Sequence, residues 1–195
     1  AVRGYQYMFA GTGWTPESFK PKHHICATSV SQMFMNATNL NIDLHEHLTA
    51  LGVELNFSFA SSFSEMLYGS AITGIGTVDT QKASSLGHIF RNAPALKNIR
   101  LLILKNDGSQ VFNTQSFQDC LSLENIVIEG IIGHTINFQW SPLSKASIES
   151  VVTALSTTST GETATFKKNA VEAAFTMDEW NALVAAKPNW TITLA

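Results

Sequence analysis

Charge of either sign is scarce: 12 Lys and Arg and 15 Asp and Glu in 195 residues make 14% charged, against roughly 25% in ordinary soluble domains. The net charge is −3 and no basic run is longer than Lys167 and Lys168, which excludes the electrostatic footprint of a nucleic-acid or anionic-membrane binder. Cys26 and Cys120 are too few for a disulfide framework and form no CxxC ligand pair. Long apolar runs are missing too. Leu101 to Leu104 and Ile126 to Ile128 fall far short of the about 20 residues of a membrane-spanning helix. The first thirty residues carry Arg3, Glu17, Lys20 and Lys22 without an intervening apolar block, so no signal peptide is expected within them. What remains is a 45% hydrophobic chain whose polar complement is largely Ser, Thr and Asn. That suffices for one folded domain or one array of short repeats, and excludes disorder.

Five segments share an anchor followed by fixed slots. The anchors are Phe9, Phe34, Leu67, Phe90 and Phe117, spaced by 25, 33, 23 and 27 residues. Two residues on stand Gly11, Asn36, Gly69, Asn92 and Asp119, types that most cheaply adopt the left-handed conformation at a turn. Three residues on stand Thr12, Ala37, Ser70, Ala93 and Cys120, all small, as close backbone packing requires. Further along come Ile42 and Leu44, Ile99 and Leu101, and Ile126 and Ile128, whose spacing of two predicts strands with one face inward. Each unit then reads as a helical turn, a tight turn and a short strand that buries its apolar face only by stacking.

The segment SFQDCLSLENIVI around Cys120, with SVSQMFMNATNL and FSEMLYGSAI, resembles the BspA-like leucine-rich repeats of bacterial surface proteins, over about Tyr7 to Ile128. The resemblance implies a mixed helix and strand solenoid used for adhesion and recognition, found also in phage and prophage tail proteins. Departures are the Leu67 anchor, the long insertion after Phe34 and the missing Leu-x-x-Ile strand after Phe9. The expected fold is therefore an α/β leucine-rich-repeat solenoid over residues 1–140 with irregular coils of 23 to 33 residues.

Residues 141–195 change character and are expected to cap that solenoid within the same continuous domain. After Pro142, Ser144 and Ser147 precede Ile148, Val151, Val152 and Leu155 on one face, predicting a capped helix over Lys145 to Leu155. A polar loop from Ser156 to Gly161, a strand from Thr163 to Phe166, a helix opened by a Thr176 and Glu179 capping box, a stop at Pro188 and a strand from Trp190 to Leu194 follow. At the other end, Tyr5, Tyr7 and Phe9 open the first coil at once, so that end reads as uncovered. Either an irregular segment packs over these aromatics, or a partner or upstream sequence does.

Chemistry-bearing residues are few. His23, His24, Asp43, His45 and His47 hold ligand types, and Asp43, His45 and His47 at steps of two share one face of an extended segment, making His45 and His47 weak metal candidates. The same stretch around Glu46 reads more simply as a solvated loop. Cys26 near His24 is a poor nucleophile candidate, and Cys120 is occupied by its slot. Gly11 to Gly13 and Gly74 to Gly76 lack the rest of a phosphate-cradling pattern, and Asp178 with Glu179 fits a helix start. No catalytic residue and no cofactor are expected.

Function is then expected at a surface. Asp43, Arg100 and Val127 lie between inward positions and are expected to point outward as a ligand-binding face. Strict alternation places Leu102 and Leu104 on the same face, whereas a strand ending by Leu101 buries both and is the preferred reading. The chain reads as a non-catalytic recognition or adhesion module, extracellular, on a cell surface or on a virion, with a protein or surface glycan as partner and neither nucleic acid nor membrane insertion. The alternative is an assembly protein that self-associates into a homo-oligomer, or docks, through its N-terminal end.

Overall fold

Five turns organise the first two thirds of the chain in the computed structural model, which describes residues 6–195. Gly11, Asn36, Gly69, Asn92 and Asp119 all have positive φ, from 51° to 90°. Four residues earlier in the first four turns stands a second left-handed position, at Tyr7, Gln32, Glu65 and His88, with φ of 54° to 66°. Little in the sequence marks it, because Tyr, Gln and Glu ordinarily avoid that conformation and only His88 is of a type that visits it more readily. Backbone bonds to the next turn hold it: Gln32 donates to Ser64 (2.9 Å), Phe34 to Met66 (3.0 Å) and Asn36 to Tyr68 (2.7 Å), and Glu65 donates in turn to His88 (3.0 Å). Side chains reinforce the ladder, Gln32 Nε2 donating to Glu65 Oε2 at 3.0 Å and His88 Nε2 lying 2.6 Å from Gln115 Oε1.

The core follows the anchors. Phe90, Phe117 and Phe138 lie in series at centroid separations of 5.6 and 4.3 Å, continued by Phe166 (6.2 Å) and an edge-on Trp180 (5.9 Å). Each buries the area that dominates core energetics. At the other end Phe9 stacks on Phe34 at 5.3 Å and meets Phe19 and Trp14 edge-on at 5.0 and 5.8 Å. Thr15 and Ser18 close the intervening turn, Phe19 N–H donating to the Thr15 carbonyl at 2.9 Å, and the Phe19 carbonyl lies 2.7 Å from His47 Nε2. The N-terminal end expected to be open is thus covered by an irregular segment. Tyr7 stays half exposed, and Tyr5 lies outside the described residues.

The elements run β1 (Ile25–Cys26), α1 (Leu44–Ala50), β2 (Leu55–Asn56), β3 (Gly74–Asp79), β4 (Asn98–Ile103), β5 (Asn125–Glu129), β6 (Ile136–Phe138), α2 (Lys145–Ala154), β7 (Glu162–Phe166), α3 (Lys168–Ala174), α4 (Met177–Ala185) and β8 (Trp190–Leu194). The expected leucine-rich-repeat solenoid is not what they build. Among the described residues the strands fall into three separate small parallel sheets, β1-β2, β3-β4-β5 and β6-β7-β8, with four short helices and no regularly recurring coil. Two features break the succession. After Ile42 the chain turns into α1 where a strand was expected, leaving only an isolated bridge between Asp43 and Gly74. Beyond β5, α2 takes the place of a further strand: Ser147 Oγ accepts from Ile126 N–H and Ser150 Oγ from Ile128 N–H, both at 2.9 Å. These hydroxyls satisfy donors that another strand would otherwise have paired.

In the C-terminal third, α2 ends one residue earlier than expected, and Ser144 sits at its N-cap without a capping bond, its hydroxyl 3.0 Å from Ser147 Oγ. The Thr176 and Glu179 capping box is present, and Lys145 donates to Glu179 at 2.8 Å, the contact that chiefly holds the Glu179 carboxyl down to about 2. Helix α3 and strand β6 had no counterpart in the sequence reading. The end of α2 is clamped from the chain's last turn: Lys187 Nζ donates to the Thr153 and Leu155 carbonyls, Asn189 Nδ2 to Thr157 and Trp190 Nε1 to Ser156. Burial lowers the Lys187 ammonium from its ordinary value. Trp190→Phe keeps the ring packing and orphans the buried Ser156 carbonyl, so urea unfolding should report a loss of about 1–2 kcal/mol.

Candidate functional site

The first turn of α1 rests on a bare stretch of β3. Asp43 is the N-cap, its Oδ1 accepting from His45 N–H at 3.0 Å and Glu46 N–H at 3.1 Å, which satisfies two orphan donors. A Cβ on Gly74 would lie 2.0 Å from Asp43 Oδ2, and one on Gly76 2.8 Å from His45 Nδ1. The Gly-Ile-Gly stretch therefore serves close approach of the helix, not phosphate binding. Across β3, Arg100 Nη2 of β4 reaches Glu46 Oε1 at 2.8 Å and Asp43 Oδ2 at 3.7 Å.

Beyond Arg100 the register of β4 against β5 shifts between Ile99 and Leu102. This irregularity resets the alternation of β4, as bulges do. Ile99, Leu102 and Leu104 are fully buried, and Leu101 and Ile103 turn to the outer face half-buried. Leu102 and Leu104 therefore do not belong to a ligand-binding face; the bulge, rather than an early end of the strand, buries them. Of the other expected face residues, Val127 is 53% exposed, Arg100 is exposed but engaged by the two carboxylates, and Asp43 is committed to the helix cap.

His45 and His47 do not share an extended face, because Leu44 and Leu48 bury one side of a helix and set the phase. His45 lies over Gly76, while His47 stacks on Phe19 at 5.8 Å. His24 Nδ1 accepts from Glu54 N–H at 3.0 Å. Among the described residues no three His, Cys, Asp or Glu side chains are grouped to hold a metal. Cys26 is half-buried on β1. Cys120 is fully buried, donates to the Phe90 carbonyl at 3.0 Å and has its thiol pushed up to about 12 by burial, so it is no nucleophile.

Between α1, the segment 53–58 and the outer face of β3 and β4 lies a cleft of about 400 Å³. Leu55 and Ile103 give it part-exposed apolar surface, the buried Leu44, Leu48, Val53 and Phe57 complete its apolar lining, and His45, Thr49, Glu54, Asn56, Thr77 and Asp79 are its polar lining residues. The segment 53–58 is fixed by β1, with Ile25 N–H donating to the Glu54 carbonyl at 2.8 Å, and by Asn56, whose Oδ1 accepts from Ser58 N–H and Oγ. Asp79 Oδ1 accepts from Gln81 N–H at 3.0 Å. Among the described residues no Lys or Arg lines the cleft. Of its residues, sequence reasoning reached only His45 as a candidate. The available signal was Gly76 followed by Thr77 and Asp79, a strand whose outward positions are bare or polar. No protein-family model, no curated protein and no solved structure matches this chain.

Proposed function

We propose that the chain is a non-catalytic recognition module of a bacterial cell surface or phage particle, and that it seats part of a protein or glycan in the cleft beside α1. The cleft carries this reading. It is concave, apolar on one side and hydrogen-bonding on the other, and it is walled by a helix and a sheet rather than by loops alone, the usual make-up of a ligand site. The surface or particle setting rests only on the resemblance of residues 7–128 to BspA-like repeats. Among the described residues no helix is long and apolar enough to cross a membrane. Self-association through the N-terminal end has less support than the cleft, because Trp14 and Phe19 cover Phe9.

Thr77 is exposed at the mouth of the cleft, so Thr77→Trp fills it without disturbing the core. Labelled wild-type protein should bind intact bacterial cells or an immobilised glycan saturably, and the variant should lose at least about tenfold in affinity, some 1.4 kcal/mol, at an unchanged unfolding midpoint. Absence of saturable binding, or equal binding by the variant, overturns the reading.

A further inference from the structure

The charge and wall chemistry of the cleft narrow its ligand. Two acidic residues, Glu54 and Asp79, line it, and among the described residues no Lys or Arg does. Among the described residues Asp79 engages one oxygen only, with Gln81 N–H, and the Glu54 carboxylate has no hydrogen-bond or ion-pair partner. An anionic ligand would meet uncompensated repulsion there, and a purely apolar one would strip water from these groups without replacing it. The part-exposed Leu55 and Ile103 supply an apolar side for a C–H surface, while the Thr77 hydroxyl donates and accepts. Resting on the recognition reading above, we infer that the cleft takes a hydroxylated organic cation, with a protonated amine toward Glu54 and Asp79, hydroxyls toward Thr77 and C–H groups on the aliphatic side. An amino sugar is the simplest molecule of this kind.

The test is an amide NMR titration of the full chain with glucosamine, N-acetylglucosamine and glucuronate, in slightly acidic buffer where the amine is protonated. Glucosamine should shift amides of α1, residues 53–58 and β3. It should bind about tenfold more tightly than N-acetylglucosamine, the step from a neutral to a charge-assisted hydrogen bond. Glucuronate should not bind at the cleft. Asp79→Asn with Glu54→Gln preserves the Gln81 contact and should abolish the preference for glucosamine at an unchanged unfolding midpoint. Equal binding of the three sugars, preference for glucuronate, or a preference that survives the double substitution overturns the inference. If no sugar shifts cleft amides while Thr77→Trp still blocks attachment to cells, the cation inference fails and the recognition reading stands. If Thr77→Trp blocks nothing, the recognition reading itself fails.

Discussion

Gly74→Ala should lower the unfolding free energy by about 2–4 kcal/mol and loosen α1, an effect out of proportion to one methyl group. Gly74 does not have a positive φ, so the cost is one of space. The new Cβ would stand 2.0 Å from Asp43 Oδ2 and 2.5 Å from Asp43 Cγ, distances that force the carboxylate away. Moving it removes both N-cap bonds, worth about 1 kcal/mol, detaches Arg100 from one of its two carboxylates and adds overpacking of about 1–3 kcal/mol. Because the clash is with a side chain, it has a partner-specific remedy. Asp43→Ala alone should cost about 1 kcal/mol, and the double variant Asp43→Ala with Gly74→Ala should be more stable than Gly74→Ala alone, a coupling that urea unfolding of the four proteins reads directly. Additive losses would show that Gly74 is needed for some reason other than the helix resting on it. Hydrogen exchange at the α1 amides should rise in Gly74→Ala before the protein unfolds globally, since those amides lose their cap.

How far the sequence reaches can be judged at α1 itself. Asp43, His45 and His47 at steps of two match one face of an extended segment, and the stretch reads more simply as a solvated loop; Asp43 ahead of Glu46 and Leu44 with Leu48 at helical spacing show as helix signals only once α1 is seen. Seven residues are too few for periodicity to decide. In contrast, the left-handed slots were legible because Gly, Asn and Asp declare themselves, while Gln32, Glu65 and His88 adopt the same conformation only because the neighbouring turn holds their backbone and side-chain bonds. Leu101 to Leu104 could not be phased, since a run apolar in both registers conceals a bulge. The architecture failed for a similar reason. Whether β5 is followed by another strand depends on two serine hydroxyls of α2 meeting its free donors, and Ser147 and Ser150 look like ordinary helix residues until the helix is docked. The cleft, assembled from residues 44–58, 75–79 and 103, forms where α1 rests on β3 and carries no contiguous motif.

Gln110→Leu should be the most damaging single substitution outside the aromatic core, costing about 3–5 kcal/mol by urea unfolding. Gln110 is almost fully buried, and its amide joins the loop after β3 to the loop after β4. Oε1 accepts from Lys105 N–H at 2.7 Å, while Nε2 donates to the Thr80 carbonyl at 2.7 Å and to the Ala83 carbonyl at 3.2 Å. A leucine of similar volume leaves the Lys105 N–H and the Ala83 carbonyl with no replacement, while the Thr80 carbonyl keeps Ala83 N–H at 2.8 Å; each orphaned group costs about 1–3 kcal/mol less whatever local relaxation or water entry recovers. Thr80 Oγ1 keeps its own bond to the Ile103 carbonyl at 2.7 Å, so the damage falls on the loop that follows β4 rather than on the strand. Gln110→Glu distinguishes lost hydrogen bonding from lost packing. The ionised carboxylate still accepts from Lys105 but faces two carbonyls, so burial raises its folded pKa above the unfolded value. Its penalty is then small below the unfolded carboxyl range and grows as pH rises through the folded pKa. Gln110→Glu should therefore approach wild-type stability in acid, where its protonated oxygen donates to one carbonyl, and fall to or below the level of Gln110→Leu at neutral pH. A pH-independent difference between the two variants would mean that shape, not the amide's pair of donors, fixes this loop.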